Sequence, residues 1–323
     1  MNRSEWARWT GQRQELPVTC DPSWAQAVES AYSEKDAYFK ARAWLVAYNW
    51  GEALVVGYES GSRALPHLTL SPFGLYCGVA PGDAGGAPDY EQVLELFESK
   101  YLLRYRSLNY SLPFYAPESV HQFITRPHLT QSKTHVLDLD VPYETLFTAR
   151  FKGATRTCLR RAERDGVRVS VSREAGHVRG YYEMHRVLAE RKGGYGDLHP
   201  EALFTQLLAR NGKCELAVAF VNEQLVSGGI FLDDGPSTFY WHAATDRNYV
   251  SSQPNYALLS LMIQRSIARG KKFFNFGGSA GIESLEKFKE SWGATARFYY
   301  GGSSVNPLLR QMKKLIRPAK GNS

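Results

Sequence analysis

The stretch Ile263–Tyr300, IQRSIARGKKFFNFGGSAGIESLEKFKESWGATARFYY, decides how the rest of this chain is read. It opens as the end of an amphipathic helix, turns at Gly270, and continues through Phe273, Phe274, Asn275 and Phe276, an apolar run that reads as a buried strand. Gly277 and Gly278 stop that strand, and two positions without side chains let backbone or substrate approach closely. A second helix is predicted from near Ser284, with Leu285, Phe288 and Trp292 on one face and Lys287 and Lys289 on the same short segment. Gly293 ends it as a helix-stop glycine, and Ala294–Tyr300 returns as another strand.

This strand, Gly-Gly, helix, strand unit, with Phe-Lys followed by Trp-Gly, resembles the C-terminal half of a Gcn5-related acyltransferase (GNAT) domain. More narrowly, it is similar to the Fem family of FemABX-type peptidyltransferases: Phe288, Lys289 and Gly293 in FKESWG occupy that family's Phe-Lys-x-x-aromatic-Gly pattern. The resemblance extends over Tyr143–Tyr300 and is looser before it. It implies an α/β (α+β) chain of tandem GNAT-like domains, each a mixed, largely antiparallel sheet flanked by helices. Residues 1–143 would be a degenerate first domain, 144–302 the acyltransferase domain, and a helix within 303–323 would dock on the first.

Size and composition fit that division. A chain of 323 residues with 43% apolar residues can bury two cores of ~150 residues each. No segment reaches the ~20 apolar residues of a membrane span, and MNRSEWARWTGQRQE lacks a signal-peptide core, which predicts a cytoplasmic protein. Cys20, Cys77, Cys158 and Cys214 are scattered and form no CxxC, so they read as reduced thiols; the histidines show no ligand spacing, so no metal is expected. Charge is unevenly placed. Met1–Tyr143 carries 12 Lys and Arg against 16 Asp and Glu, and the remainder 27 against 16. A basic second half points to a polyanionic partner such as RNA, a nucleotide-linked substrate or an anionic membrane surface.

In the first half, a helix is predicted over Trp24–Phe39, a hairpin around Asn49–Gly51, a helix from Tyr90 capped by Asp89, and strands near Ser107–Leu112 and Thr134–Leu139. The aromatic and glycine-rich LTLSPFGLYCGV suits a strand that bulges or lines a cleft. Its Tyr76 is a core tyrosine beside a turn or, by the Fem resemblance, borders the acceptor site.

From Glu144 the sequence changes character. Phe147, Phe151, Leu159 and Ala162 can face inward on a helix whose other side carries Arg156, Arg160 and Arg164 at i, i+4 and i+8. That row is either a solvated face paired with Glu163 and Asp165 or an edge that neutralises successive phosphates of a nucleic acid. Arg191 and Lys192 end the next helix, where a basic pair answers the helix dipole or clamps a diphosphate. Three strands follow in meander, joined first by the tight turn Asn222-Glu223. On the third, alternation places Tyr240 and His242 on one face, where they could meet substrate, and Trp241 on the other.

Coenzyme A-dependent GNAT enzymes carry a glycine-rich loop after this strand, whose amides hold pyrophosphate. This chain reads RNYVSSQPNYALL from Arg247 to Leu259, without a glycine and with Pro254 removing a donor, so the usual coenzyme A cradle is not expected. Pro254 and Asn255 opening a helix match the Fem pattern, whose better-known members draw on aminoacyl-tRNA. The resemblance thus implies transfer of an aminoacyl group from tRNA to an amine of a peptidoglycan precursor or other peptide-like or nucleotide-linked acceptor. Lys289 would stabilise the oxyanion or grip the donor, among Phe288, Arg247, Asn255, Gly277 and Gly278. A coenzyme A-dependent N-acyltransferase and a catalytically silent scaffold of envelope assembly are the competing readings. The last helix, Pro307–Ile316, has leucines on one side and Arg310, Lys313 and Lys314 on the other, and could dock on the first domain or lie on an acidic membrane surface.

Overall fold

The computed structural model describes the whole chain except residues 12, 14, 34–37, 50, 83–87, 117–128, 192–198 and 317–323, and except the side chains of 312–316. Its contacts divide the chain into two compact units: Met1–Arg13, Thr19–Ser132 and Tyr299–Ser323 form the first, Gln14–Val18 and Lys133–Phe298 the second.

The first unit begins with helices α1 (Arg3–Gly11) and α2 (Pro22–Ser33). Strands β1 (Phe39–Tyr48) and β2 (Gly51–Ser60) form the expected hairpin, in register from Tyr48 opposite Gly51 to Phe39 opposite Ser60. LTLSPFGLYCGV becomes two short strands, β3 (His67–Thr69) and β4 (Gly78–Pro81), separated by a turn in which Phe73 takes φ 58°. Both pair with β2, β4 over its first half and β3 over its end. Helix α3 (Tyr90–Tyr101) is capped by Asp89, whose carboxylate accepts the Gln92 amide at 3.1 Å. It lays Val93, Leu94 and Phe97 onto Val46, Val55, Leu68 and Leu108, the last on β5 (Ser107–Ser111).

Strand β6 (Leu129–Asp138) carries the chain into the second unit, so the strand expected at Thr134–Leu139 starts earlier and pairs there. The helix predicted through Phe147 and Phe151 is interrupted. A turn, α4 (Tyr143–Thr145), passes into one π-helical turn at Leu146–Arg150, Phe151 is extended, and α5 (Gly153–Arg164) starts anew. Strand β7 (Arg168–Ser172), helices α6 (Ala175–Arg191) and α7 (Glu201–Arg210), and strands β8 (Cys214–Val221), β9 (Gln224–Asp234) and β10 (Ser237–Thr245) follow. Asn222 and Glu223 both have positive φ, as a two-residue hairpin turn requires. Helix α8 (Pro254–Ala268) crosses back to β11 (Phe273–Asn275), parallel to β10; α9 (Glu283–Ser291) and β12 (Thr295–Val305) complete the unit.

The sheet order here is β6-β11-β10-β9-β8-β7. Leu258, Leu259, Met262 and Ile263 of α8 fill one face with Phe274, Phe231 and Trp292. The segment Gln14–Val18 is tied to the β9–β10 turn: Asp234 accepts the Val18 amide at 3.0 Å, and Lys213 Nζ donates to Leu16 O at 2.9 Å. Nothing in the sequence around Leu16 signals that attachment. The rest of β12 pairs with β5 in the first unit, and α10 (Pro307–Ile316) begins beyond Asn306, whose side-chain amide donates to the carbonyls of Leu103 and Tyr105.

Gly293 closes α9 at φ 78°, and a Cβ there would stand 2.8 Å from Arg150 Cβ and 3.0 Å from Arg150 O. Gly293→Ala is therefore expected to destabilise the second unit by about 1–3 kcal/mol, from left-handed strain plus backbone contact. Chemical denaturation should show an earlier midpoint, and an unchanged midpoint would contradict the tight approach.

Candidate functional site

Strands β10 and β11 pair for only three residues, Ser237–Phe239 against Phe273–Asn275, and then part. The parting has two local causes. On β10 the register with β9 shifts between Tyr240 and His242, leaving Trp241 as a bulge. On β11 the chain turns away at Gly277 (φ 74°), where a Cβ would lie 3.8 Å from the Tyr240 carbonyl oxygen. Parallel strands that diverge leave backbone groups and space at the end of the sheet, the usual place for a ligand.

Lys289 meets the loop that follows β11. Although it stands on a short helix between Glu286 and Glu290, it is only 3% exposed. Its Nζ donates to Gly277 O at 2.7 Å and Gly278 O at 2.6 Å, leaving the third N–H of an ammonium group for another acceptor. Lys287 on the same helix, paired with Glu283 at 2.6 Å, is by contrast exposed. Burial lowers the Lys289 pKa to about 8, with Glu286 opposing the shift. Asn275 fixes the loop from below: its Oδ1 accepts the Gly277 amide at 2.9 Å and the Thr134 hydroxyl at 2.6 Å. Phe288 is half-buried and meets the Tyr256 ring edge-on at 5.4 Å, while Tyr256 stacks on buried Trp292.

Two further groups here went unnoticed in the sequence. His135 on β6 is fully buried, and neither ring nitrogen has a hydrogen-bond partner among the described residues; Ser279 Oγ is likewise buried and unpartnered. Burial and the neighbouring Lys289 charge hold the His135 imidazole below its ordinary pKa. The sequence carries no signal for His135, which follows the polar run Thr130–Thr134 in a strand whose apolar residues are Leu129, Val136 and Leu137.

Tyr240 and Asn255 come together: the phenol donates to Asn255 Oδ1 at 2.9 Å, and burial raises its pKa although that bond lowers it. His242 does not join them. The bulge at Trp241 reverses the alternation, so Tyr240 stacks on Phe231 against α8, while His242 lies among His185, His199 and Phe204 of the α6–α7 side. The shared face expected for Tyr240 and His242 is thus corrected.

The other predicted residues are dispersed. Arg156 is spent on the broken helix before it: its guanidinium donates to the carbonyls of Thr148 and Phe151, so the arginine row is not uniformly free. Arg160 is exposed on the rim of an apolar groove of about 580 Å³ between α5, β7 and α8, and Arg164 is exposed beside Asp165. Arg191 ends α6 in solvent, and Lys192 lies outside the described residues. Arg247 is exposed at the start of a 3₁₀ turn, Arg247–Ser252. Tyr76, in the first unit, is buried with the rings of Phe114, Tyr115 and Tyr299 edge-on around it.

The start of α8 offers few amides. Pro254 has no N–H, and those of Tyr256 and Ala257 donate to Gln253 O. Among the described residues, no group of three or more His, Cys, Asp or Glu could hold a metal, and no helix is long and apolar enough to cross a membrane.

His242 supplies a pH test. Burial and the neighbouring His199 and His185 depress its pKa well below 6.5. The unfolded chain then binds the proton first, so stability present above about pH 6.5 is lost as pH falls toward the folded value, by at most about 1.4 kcal/mol per pH unit. His242→Phe should flatten the melting temperature between about pH 7 and 5; an unchanged slope would place the titration elsewhere.

The comparisons with known proteins agree with this architecture. Residues 149–290 match the acetyltransferase (GNAT) domain family. FemX superposes at 13% identity with a TM-score of 0.69, over 97% of this chain and 98% of its own. The C-terminal domain of an Agrobacterium fabrum protein assigned as a lysylphosphatidylglycerol synthetase gives 12% identity and TM-score 0.58, covering 98% and 97%. L-PGS from Bacillus licheniformis gives 15% and 0.52, covering 94% and 98%. No curated protein matches the chain in sequence. With strands that part beside a buried lysine and a family match over the same segment, residues 149–290 are a GNAT acyltransferase domain, carried in a chain with the fold of FemX.

Proposed function

We propose that this protein is an aminoacyltransferase that moves an aminoacyl group from aminoacyl-tRNA to an amine of a peptidoglycan precursor or similar peptide-like acceptor. The observation that carries the reading is where positive charge is placed. A coenzyme A enzyme of this fold concentrates free amides at the start of the helix after its fourth strand. Here that helix starts with a proline and two amides already bonded, and the buried cation is Lys289 instead. The likeness to FemX and to the two lysylphosphatidylglycerol-type structures supports an aminoacyl donor.

The chemistry asks little of the protein. The acceptor amine attacks the ester carbonyl, the C–N bond forms, the C–O bond to the ribose breaks, and the amine proton leaves with the ribose oxygen. Holding amine and ester together supplies most of the acceleration, and a fixed cation stabilises the oxyanion that develops. Lys289 is the group for that role, its remaining N–H turned to the carbonyl oxygen or to the donor's terminal phosphate. Phe288, Tyr240 and Asn255 shape the wall beside it.

The match to an acetyltransferase family favours a second reading, a coenzyme A-dependent N-acyltransferase. Titration calorimetry with acetyl-CoA separates the two: binding at about micromolar strength supports the second and sinks the first. Filter binding with charged tRNA should show affinity that drops steeply with salt.

Lys289→Met is expected to cut turnover about tenfold or more with the melting temperature nearly unchanged, since the lost bonds are offset by relief of a buried charge. Because the ammonium form is the one needed, kcat/KM should fall as pH rises through about 8. A limb rising through that pH would instead make Lys289 a base.

A further inference from the structure

The first unit contains a concave site that the transfer reaction leaves unused. A cavity of about 630 Å³ opens beside β1 and below the end of α3, within the size range of small-ligand sites. Five of its lining residues are cationic: Arg3, Lys40, Arg42, Arg63 and Arg104. Local sequence explains the convergence. Lys40 and Arg42 stand two apart on β1 and so share a face, Arg63 follows β2, and Arg104 precedes Tyr105 where α3 has ended.

Among the described residues one carboxylate lines the cavity, and it is occupied. Glu59 is 6% exposed and accepts from the Tyr38 hydroxyl, from the Tyr105 hydroxyl at 3.1 Å and from Arg42 Nε at 3.2 Å. Arg3 is paired with Glu29 at 2.6 Å. Lys40, Arg63 and Arg104 have no acidic partner among the described residues. Like charges gathered in a concavity repel one another until an anion joins them. A flat stripe would follow a nucleic-acid backbone, whereas a concavity lined by Lys40, Arg63 and Arg104 fits a compact anion of several charges.

We propose that this cleft is a binding site for a diphosphate group, free or carried on a nucleoside, with Lys40, Arg63 and Arg104 as its principal contacts and the Tyr38–Glu59–Tyr105 cluster holding Arg42 in place. The inference is independent of the acyl-transfer reading, since it uses none of the residues of the second unit.

Calorimetric titration of the full chain with inorganic pyrophosphate at low ionic strength should show one saturable site with Kd below about 1 mM, weakening as salt is raised. Arg63→Glu/Arg104→Glu removes two charge-assisted contacts from exposed side chains and should weaken binding about a hundredfold, with the melting temperature retained. Arg210→Glu, an exposed reversal on α7, should leave the affinity unchanged. ADP binding more tightly than pyrophosphate identifies a nucleoside diphosphate; equal affinity identifies the free anion. Absence of saturable binding of either probe, or an affinity that survives the double reversal or falls equally with Arg210→Glu, overturns the assignment.

Discussion

A buried ammonium group organises the second unit. Taking Lys289 out of water is unfavourable on its own, and the chain compensates with two glycine carbonyls at 2.7 and 2.6 Å. That compensation sets demands on everything around it. β11 must end after Asn275, Gly277 must take a left-handed turn so that two successive carbonyls face the same amine, and Asn275 must take up the Gly277 amide that the turn leaves behind. Helix α9 must then present Lys289 on the face it shares with the core, where Trp292, three residues on, anchors it against Phe151 and Tyr256.

The same geometry explains why the parting of β10 and β11 is stable. A sheet opened in its middle leaves backbone groups without ladder partners, a costly condition in a dry core. Here the bulge at Trp241 turns β10 away and Gly277 turns β11 away, so each strand leaves the ladder by a distinct local device. The turn at Gly277 is held by Lys289, which takes the Gly277 and Gly278 carbonyls. Catalysis by positioning needs this kind of rigidity, since a cation placed in advance does not reorganise as charge develops.

Local features were legible in the sequence, and long-range ones were not. The Asn222-Glu223 turn, the Asp89 cap, the proline opening α8 and the glycine closing α9 all follow from conformational preferences of single residues, and all appear where expected. The bulge at Trp241 is different, because FYWHAA alternates equally well with or without an extra residue. One inserted position put Tyr240 and His242 on opposite faces. Periodicity also could not show that Phe151 would break the helix, or that Arg156 would turn back to satisfy the carbonyls exposed by the break. The attachment of Leu16 and Val18 to Lys213 and Asp234 joins residues about two hundred positions apart, beyond any window in which a pattern can be read. Lys289 was found through the Phe-Lys pattern, whereas its burial depended on where β11 stops.

His135 and Ser279 extend the argument from Lys289 to its surroundings. An imidazole with neither nitrogen paired and a hydroxyl without a partner each carry a desolvation cost of about 1–3 kcal/mol. In the same unit the buried side chains of Thr134 and Asn275 bond each other, as do those of Ser266 and Thr238. A polar substrate entering at the end of β11 is what the unpaired groups beside Lys289 are suited to meet. The depressed imidazole pKa follows from the same arrangement, since a second cation next to Lys289 would be repelled, leaving a neutral ring able both to donate and to accept.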